Sequence, residues 1–532
     1  MNTLARKVMR SISTDSIDFY PSLIRDYIHN QLIEKDWVDF TYDKNEILKR
    51  AATRAFNYRE PLTHALRRQY EEIKITPAIE ARIKLLEDPK TMTVCTGHQL
   101  SLFGGPAFFF SKIIECIQLS RELSRLDPEH LYLPIFWMAS EDHDFDEIAE
   151  FQLFNHKLKW QIESKGPVGR LSVKSLEELV NQCCEIIGNS EKADPIKTAI
   201  RKAYDPSFNL AQATRILVNE LLGDEGLLII DGDDPALKSL FAPIAERELK
   251  NQIVEKSLTA RIDAFENANY KAQAKPRAIN LFYLEDHYRA RIIATQDGFA
   301  TADEKHSWTE RELISIVHDS PTSISPNVFL RPVYQEIILP NVAYVGGAGE
   351  IAYWLELPPL FAALEVPFPI PIVRNSFIYW DEKSDEKLQK LGIELAELFE
   401  DLPLLEGKFV EQNAKNEISL SDYSSRITSI FSEIEELGVV IDPNLSKSVA
   451  GELKKTLSSI ENLEKRFKNG EKRNFETQLQ QLSSLKSKLF PNGAFQERAV
   501  SFFEFHLKSD ENLFEKVATH CTPMDNSIKL LL

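Results

Sequence analysis

The sequence predicts an α/β fold in which a Rossmann-like, doubly wound core carries a long antiparallel coiled-coil arm. Between residues 91 and 376, short β-branched or apolar runs alternate with helical stretches, the pattern of a sheet covered by helices on both faces. Between residues 381 and 490 only two of the 26 prolines occur, Pro403 and Pro443, so long helices are permitted. We therefore predict four segments: 1–90, helical and packed on the core; 91–376, the core; 377–490, the arm; and 491–532, a tail that returns to the core.

Composition excludes several classes of protein. The chain has 532 residues, of which 43% are apolar, so wholesale disorder is excluded. Its 63 Lys plus Arg and 81 Asp plus Glu give a net charge of −18. An acidic molecule repels the phosphates of nucleic acids and of anionic lipid surfaces. We therefore expect small-molecule substrates, with no nucleic-acid partner and no membrane association.

Cysteine usage and the amino terminus indicate where the protein works. Five cysteines at irregular spacing, with no Cys-x-x-Cys pair, form neither a disulfide framework nor a zinc knuckle, and we predict no metal held by the protein. Basic residues near the start precede no apolar stretch, and the longest uncharged apolar run is 131–139. Because signal peptides and membrane spans need such a stretch, we expect a cytoplasmic protein.

Hydrophobic periodicity locates the elements. Residues before 90 are predicted to form helices, for example over 20–33 and 46–58. In the core, apolar or β-branched runs predict strands at 92–96, 131–139, 226–231, 278–283, 288–294, 342–346 and 368–373. Helices are predicted between them, for example over 106–125, 196–204 and 211–222.

The arm is predicted from two apolar seams. One seam runs from Ile418 to Leu437, the other from Val449 to Leu489 with an interruption near Gly470, and the turn 442–444 separates them. An antiparallel helical pair of this kind either braces the core or forms a homodimer contact.

A first candidate site lies where the predicted strand 92–96 ends. Gly97 and His98 lead through Gln99 to Gly104 and Gly105, and a proline then starts an apolar helix. This arrangement places backbone N–H groups and an imidazole at the carboxyl edge of a parallel sheet, where anions bind. The alternative is a simple turn in which His98 bonds a neighbouring carbonyl.

A second candidate is the acidic loop 140–147 after the strand 131–139. It brings Asp142 and Asp144 beside His143, and such carboxylates repel one another unless a cation, an amine or basic side chains lie among them. An ammonium-bearing substrate or a magnesium nucleotide suits this loop. The alternative is a solvated loop that caps the next helix, which we favour for Asp146 and Glu147.

Two further strand ends carry polar groups. In the turn 231–235 an acid can receive ribose hydroxyls, although for Asp234 we favour capping the helix that starts at Pro235. In 344–354 a glycine-rich bend leads to Glu350, Tyr353 and Trp354, so amides can approach a ligand while aromatic faces stack on it. We expect Trp354 to be a core residue instead.

Two arginines each lie beside a candidate strand end. Arg331 and Arg374 can each grip a carboxylate in bidentate fashion, or form structural ion pairs. The sequence leaves both roles open.

Four segments together resemble the bacillithiol biosynthesis cysteine-adding enzymes: TGHQLSLFGGPAFFFSK at 96–112, PIFWMASEDHDFDEI at 134–148, NVFLRPVYQ at 327–335 and YVGGAGEIAYW at 344–354. The resemblance spans nearly the whole chain. It implies a core related to class I nucleotidyl transferases, connecting-peptide insertions, and dimerisation through the coiled coil. It also implies a ligase that joins the cysteine carboxyl group to the glucosamine nitrogen of glucosaminyl malate, the last step towards bacillithiol.

The resemblance implies roles for the candidate residues. His98 and Gln99 bind the activated carboxyl group or a phosphate. Asp142, His143 and Asp144 hold the cysteine ammonium group or deprotonate the incoming amine. Arg331 and Arg374 bind the malate carboxylates, with Glu350 and Tyr353 as further substrate contacts. ATP is implied as the activating nucleotide, with Mg²⁺ accompanying it, and the glycines expected to bind it are Gly97, Gly104, Gly105, Gly346, Gly347 and Gly349.

Two other functions stay open at this stage. One is a different nucleotidyl or acyl transferase on the same sheet, and the other is a non-catalytic nucleotide-binding scaffold that works through its coiled coil.

Overall fold

The computed structural model describes residues 10–71, 73–414 and 419–531. Ile418 of the predicted arm seam lies outside these residues. The chain forms two compact units, one comprising residues up to Tyr379 together with Phe495–Leu531, the other comprising Trp380–Ala494. The four-segment division of the chain stays a prediction.

The strands of the described residues are, in chain order, β1 (Ser11–Ser13), β2 (Thr91–His98), β3 (Leu131–Met138), β4 (Glu150–Leu153), β5 (His156–Lys159), β6 (Leu228–Asp231), β7 (Leu281–Glu285), β8 (Tyr288–Ala294), β9 (Phe299–Thr301), β10 (Ser307–Trp308), β11 (Ile324–Pro326), β12 (Asn341–Gly346), β13 (Ile370–Val373), β14 (Ser376–Tyr379) and β15 (Ser527–Leu531).

The α-helices of the same residues are α1 (Ser22–Ile28), α2 (Gln31–Glu34), α3 (Lys44–Thr53), α4 (Arg59–Glu71), α5 (Pro77–Leu85), α6 (Phe108–Leu126), α7 (Phe145–Ile148), α8 (Glu177–Ile187), α9 (Ala193–Ala203), α10 (Leu210–Leu222), α11 (Pro235–Asn251), α12 (Ile253–Asn267), α13 (Glu310–Asp319), α14 (Leu330–Ile338), α15 (Ala348–Trp354), α16 (Pro358–Leu364), α17 (Glu382–Leu391), α18 (Leu402–Asn413), α19 (Ser421–Ile441), α20 (Leu445–Asn474), α21 (Glu476–Leu489), α22 (Gln496–Ala499), α23 (Phe502–Lys508) and α24 (Leu513–His520). Within the described ranges, no helix combines the length and the apolar character that crossing a lipid bilayer requires.

A five-stranded parallel sheet forms the centre of the first unit, and it confirms the predicted α/β class. Its order is β6-β3-β2-β12-β13. The chain therefore moves outward from β2 to β3 and β6, then returns to the other side of β2 with β12 and β13. This is the order of a doubly wound sheet, in which the carboxyl ends of β2 and β12 flank the topological switch point where ligands bind.

Continuous apolar runs explain why these strands are central. Val94, Phe136, Ile230, Val345 and Ile372 are all buried, because helices cover both faces of the sheet. Helix α6 packs against β2 and β3, and it begins after a bend in which Gly104 and Gly105 take positive φ angles of 84° and 60°.

Two of the predicted strands belong to a different sheet. The run 278–283 and the run 288–294 correspond to β7 and β8, which pair with each other in an antiparallel sheet of order β10-β9-β8-β7-β11. Only two residues join β7 to β8, which is far too short for the crossover that parallel neighbours need. The doubly wound core is therefore interrupted by an antiparallel insertion, here called the insertion sheet, between α12 and α14.

The first and last strands of the described residues meet in a third sheet. Strand β15 lies between β1 and β14, pairing antiparallel with the first and parallel with the second. The tail before β15 is anchored by Phe502 and Phe503, whose rings pack 5.5 Å and 5.4 Å from that of Phe110.

The second unit contains the helical arm. Helices α19 and α20 are antiparallel, since the amide of Leu420 donates to Glu464 at 3.2 Å while Ser446 donates to Glu435 near the turn. The seam was predicted to be interrupted near Gly470; the helix itself continues to Asn474, and its break falls five residues later at Phe475. A glycine inside a helix costs about 1 kcal/mol, which neighbouring turns can absorb.

Candidate active site

The first and second candidate sites open onto one cavity of about 600 Å³ at the carboxyl edge of the central sheet. His98 and Met138 end β2 and β3 in register, so the two loops that follow start side by side. The cavity is lined by Gly97, His98, Gln99, Trp137, Met138, Ala139, Ser140, Glu141, Asp142, Ala274, Lys275, Arg277, Phe282, Arg289, Ser325, Pro326, Asn327, Val328, Phe329, Arg331, Tyr344, Glu350 and Tyr353. The structure thus brings together seven predicted residues: Gly97, His98, Gln99, Asp142, Arg331, Glu350 and Tyr353.

Gln99 connects the two loops directly. Its amide nitrogen donates to Asp142 Oδ2 at 2.9 Å and to Glu147 Oε2 at 2.5 Å. This neutral donor reduces the repulsion that the acidic loop would otherwise suffer. Glu147 is exposed, as the sequence predicts, and it also meets Gln99 at the edge of the site.

His98 is half-buried between the rings of Phe108 and Phe109, each 5.1 Å away. Its Nδ1 lies 2.9 Å from the carbonyl oxygen of Gln99, so the simple turn contact and the position in the cavity are both present. Burial, together with the nearby Lys112 ammonium group, lowers the pKa of His98 to about 4. The imidazole is consequently neutral at physiological pH.

Asp142 and His143 form the polar end of the second loop. Although burial opposes it, the hydrogen bond from Gln99, the nearby Arg289 guanidinium group and the backbone amide of His143 hold the pKa of Asp142 well below its usual range. Asp142 accepts from the backbone amide of His143 at 2.7 Å. His143 itself is exposed, and its Nδ1 lies 2.7 Å from Nη1 of Arg289. Asp142 is therefore ionised and accepts hydrogen bonds.

Glu350 forms a second acidic centre across the cavity. Its carboxylate accepts from the buried Lys112 ammonium group, from Tyr344 Oη at 3.0 Å and from the Gly347 amide at 2.8 Å. Burial alone would raise the pKa of Glu350, but Lys112 and the Gly347 amide lower it. Lys112 also donates to the Gly97 carbonyl at 2.6 Å. Its ammonium group therefore links the end of β2 to Glu350, which follows β12, across the switch point.

Arg331 lies on the floor of the cavity. Its guanidinium group donates to Gln335 at 3.1 Å and to Tyr353 Oη at 3.4 Å, and it lies between the rings of Trp137 and Tyr344. These contacts orient the group and leave part of its donor set for an anion. Trp354 is a core residue as predicted, stacked 4.3 Å from Tyr344.

The insertion sheet and the segment that precedes it supply three cations that were not predicted: Lys275, Arg277 and Arg289. Arg289 on β8 lines the cavity and stacks on Phe282, with its guanidinium carbon 3.8 Å from the ring centroid. Lys275 and Arg277 line it from the segment before β7. Arg289 follows the aromatic Tyr288 in a strand of mixed pattern, so its position has no local sequence signal. Its place in the cavity depends on the tertiary packing of the insertion sheet.

Glu141, an acid of the second loop, forms an ion pair inside the protein. Glu141 pairs with Lys238, a fully buried lysine that also donates to the Ile324 carbonyl at 2.7 Å. Burial raises the pKa of Glu141, with Lys238 acting against that rise. Because α11 carries Lys238, this pair joins the acidic loop to the start of β11 and stiffens one wall of the cavity.

Several predicted residues lie away from the cavity. Arg374 is buried in an ion pair with Glu497 at 2.6 Å. It therefore has the structural role that the sequence left open, and we no longer expect it to contact malate. Gly104 and Gly105 shape the bend before α6, where the Cβ of any larger residue would lie 2.6 Å from Phe110 or Ser101. His143 and Asp144 are both exposed outside the lining, and Asp234 caps α11 as predicted.

The glycine-rich bend after β12 also contributes differently from expectation. Gly346 is buried against Ile351, Gly349 faces open space, and neither lines the cavity. The Gly347 amide is already engaged by Glu350. The bend therefore positions a carboxylate instead of presenting free amides to phosphates. Among the residues that the structure describes, no group of three or more His, Cys, Asp and Glu side chains is arranged to hold a metal ion.

Comparison with known proteins agrees with this architecture. Residues 9–375 match the family model "Bacillithiol biosynthesis BshC, N-terminal Rossmann-like domain", and residues 377–532 match "Bacillithiol biosynthesis BshC, C-terminal coiled-coil domain". A Flavobacterium johnsoniae protein named "Putative cysteine ligase BshC" is 37% identical, over 98% of this chain and 99% of that protein. Proteins of the same name from Flavobacterium psychrophilum and Chlorobaculum tepidum are 37% and 29% identical, covering 98% and 88% of this chain and 98% and 87% of their own lengths. The chain therefore belongs to the bacillithiol biosynthesis BshC family and is a ligase.

Proposed function

We propose that this ligase joins the carboxyl group of L-cysteine to the glucosamine amine of glucosaminyl malate, the last step of bacillithiol biosynthesis. The names of its relatives support cysteine as the donor. The observation that carries the proposal is the charge arrangement of the cavity. Ionised Asp142 and Glu350 can hold an ammonium group, whereas Arg331, Arg289 and Arg277 can hold carboxylates.

Both substrates carry groups that match these charges. Cysteine offers an ammonium group, and the malate part of the acceptor offers two carboxylates. Because the whole molecule has a net charge of −18, arginines concentrated in one cavity are needed to attract a dianion. Arg277 and Arg289 take the place in this scheme that the sequence analysis gave to Arg374.

We further propose that ATP activates the cysteine carboxylate. Amide formation from a free carboxylate needs a leaving group, which an acyl adenylate or an acyl phosphate supplies. The residues fit a nucleotide's phosphates in one respect: Arg289 Nε is buried and has no hydrogen-bond partner within the described residues. Mg²⁺ would accompany the nucleotide, since the described side chains offer no cluster of their own for it.

The decisive experiment is reconstitution with the purified full-length chain. Cysteine, glucosaminyl malate and ATP with Mg²⁺ are supplied together and then each is omitted in turn, while mass spectrometry follows the thiol product and the nucleotide. The proposal predicts bacillithiol only in the complete mixture, with AMP or ADP in equal amount. Serine and alanine in place of cysteine are the matched controls. A product that forms equally well from them would show a different acyl transferase.

We propose that the protein works in the cytoplasm as a homodimer joined through the arm. All five cysteines are free thiols in the structure, as in proteins of reducing compartments. Within α19 and α20, Leu437 and Val440 expose 68% and 86% of their surfaces, and Phe467 exposes 55%. A second copy of the arm would cover such a stripe. Sedimentation of the purified chain should give twice the mass of 60.9 kDa, and a monomer at micromolar concentration would refute the dimer.

A further inference from the structure

The imidazoles of His98 and His143 each have a close partner at Nδ1, but one partner is a hydrogen-bond acceptor and the other a donor. His98 Nδ1 lies 2.9 Å from the carbonyl oxygen of Gln99. A carbonyl oxygen can only accept, so Nδ1 of His98 must carry the hydrogen. In the neutral ring, Nε2 then holds a lone pair. This side chain lines the cavity, and its low pKa keeps it in the neutral form.

His143 is in the reverse situation. Its Nδ1 lies 2.7 Å from Nη1 of Arg289, and a guanidinium group can only donate. Nδ1 of His143 must therefore hold the lone pair, and Nε2 carries the hydrogen. Asp142 Oδ1 is the other charged group near Nδ1, but at 3.5 Å it lies much farther away than Arg289. A hydrogen on Nδ1 would point at the hydrogen of the guanidinium group.

Stacking and two long polar contacts position Arg289 beside His143. Its guanidinium group stacks on Phe282, and Nη2 lies 3.5 Å from both Ser325 Oγ and the Pro326 carbonyl. Within residues 10–71, 73–414 and 419–531, neither His98 Nε2 nor His143 Nε2 has a hydrogen-bond partner. His98 Nε2 is thus left for a ligand in the cavity, and His143 Nε2, on the exposed loop outside the cavity lining, is left for a group of the ligand that reaches this rim.

We infer that His98 is the proton acceptor of this site and His143 its neutral hydrogen-bond donor, with Arg289 as the positioning residue that fixes the tautomer of His143. The assignment reverses the roles expected from the sequence. It rests on the proposed function and adds which imidazole does which task.

The assignment gives a balanced step. The acceptor amine attacks the activated carbonyl carbon, forming the C–N bond, and the bond from that carbon to the phosphoryl oxygen breaks. The amine proton passes to His98 Nε2 and from there to the departing phosphate or to water. His143 keeps its hydrogen throughout and donates Nε2–H to the carbonyl oxygen as negative charge develops on it.

The first test measures the tautomers and needs no substrate. Long-range ¹H–¹⁵N spectra of the ¹⁵N-histidine-labelled full-length protein identify which ring nitrogen is protonated, with His98→Gln and His143→Gln used for assignment. We expect Nδ1–H at His98 and Nε2–H at His143. In Arg289→Met the His143 signals should shift to a mixture, whereas Arg277→Met, which removes a cation without contact to His143, should leave them unchanged. Nδ1–H at His143 in the wild type, or no response to Arg289→Met, would overturn the inference.

The second test uses turnover. Glutamine can present an amide N–H near the position of Nε2 but cannot take up a proton. We therefore expect His143→Gln to retain activity within about 10-fold of the wild type and His98→Gln to lose about 100-fold or more. The opposite order would overturn the assignment. If the wild type itself shows no ligation, the proposed function fails, while the spectra still decide the tautomers separately.

Discussion

Replacing Arg374 by methionine separates a structural role from a substrate-binding one. The sequence places Arg374 at a strand end where it can bind a carboxylate, but the structure buries it against Glu497. The two side chains expose only 4% and 1% of their surfaces, and their charged atoms lie 2.6 Å apart. Methionine keeps most of the apolar stem and removes the charge, its donors and the stacking of the guanidinium carbon 4.9 Å from the Phe108 ring centroid.

The expected loss follows from what Glu497 keeps. Without Arg374, its carboxylate still accepts from Ser376 Oγ and from the Phe377 amide, each at 3.1 Å. Two neutral donors do not compensate a buried charge, and breaking a buried pair by removing one partner costs about 3–5 kcal/mol. We expect Arg374→Met to lower the free energy of unfolding by about that amount. The exposed pair of Lys90 and Glu129 is the control, since Lys90→Met should cost less than about 1 kcal/mol.

Denaturant unfolding followed by circular dichroism measures both variants. Combining Arg374→Met with Glu497→Gln should recover at least half of the loss, because the buried charge then disappears with its partner. The KM for the acceptor should stay within about twofold of the wild type in the folded Arg374→Met protein, whereas Arg331→Met should raise it. Wild-type stability in Arg374→Met together with a tenfold higher acceptor KM would refute the reasoning and restore Arg374 as a substrate ligand.

Three further expectations concern pH, backbone shape and assembly. Burial raises the pKa of Glu115 to about 8, so between pH 5 and 8 the folded chain keeps a proton that the unfolded chain has lost. As the pH rises through this window, the free energy of unfolding of the wild type should therefore fall relative to that of Glu115→Gln, by up to about 1.4 kcal/mol per pH unit. Parallel pH profiles of the two proteins in thermal unfolding would contradict this. Gly105→Ala should cost about 1–3 kcal/mol more than Gly226→Ala in denaturant unfolding: both have positive φ, but only at Gly105 does the new Cβ meet Ser101, and equal losses would exclude that clash. Leu437→Asp should convert the proposed dimer to a monomer in sedimentation while the exposed control Ser429→Asp does not, and a dimer in both would place the contact elsewhere.

The predicted placement of the candidate residues agrees with the structure where it depends on strand ends. Gly97, His98 and Asp142 follow apolar runs that could only be buried strands, and parallel strands bring their carboxyl ends to one edge. The loop positions were therefore predictable before any pairing was known. The insertion sheet was predictable only in part. Four residues separate the runs 278–283 and 288–294, too few for a parallel crossover, but neither run shows that β9, β10 and β11 join the same sheet.

The sequence by itself determined the class of the fold, the helical arm and the edge of the sheet at which polar residues collect, because these depend on periodicity and on turn residues a few positions apart. Only the tertiary structure decided which charges meet. Arg289 contacts His143, from which it is 146 residues away in the sequence, and Arg374 pairs with Glu497, which is 123 residues away. An arginine has the same local pattern whether it faces a ligand or a buried carboxylate, since the difference lies in the desolvation and the partner supplied by distant segments.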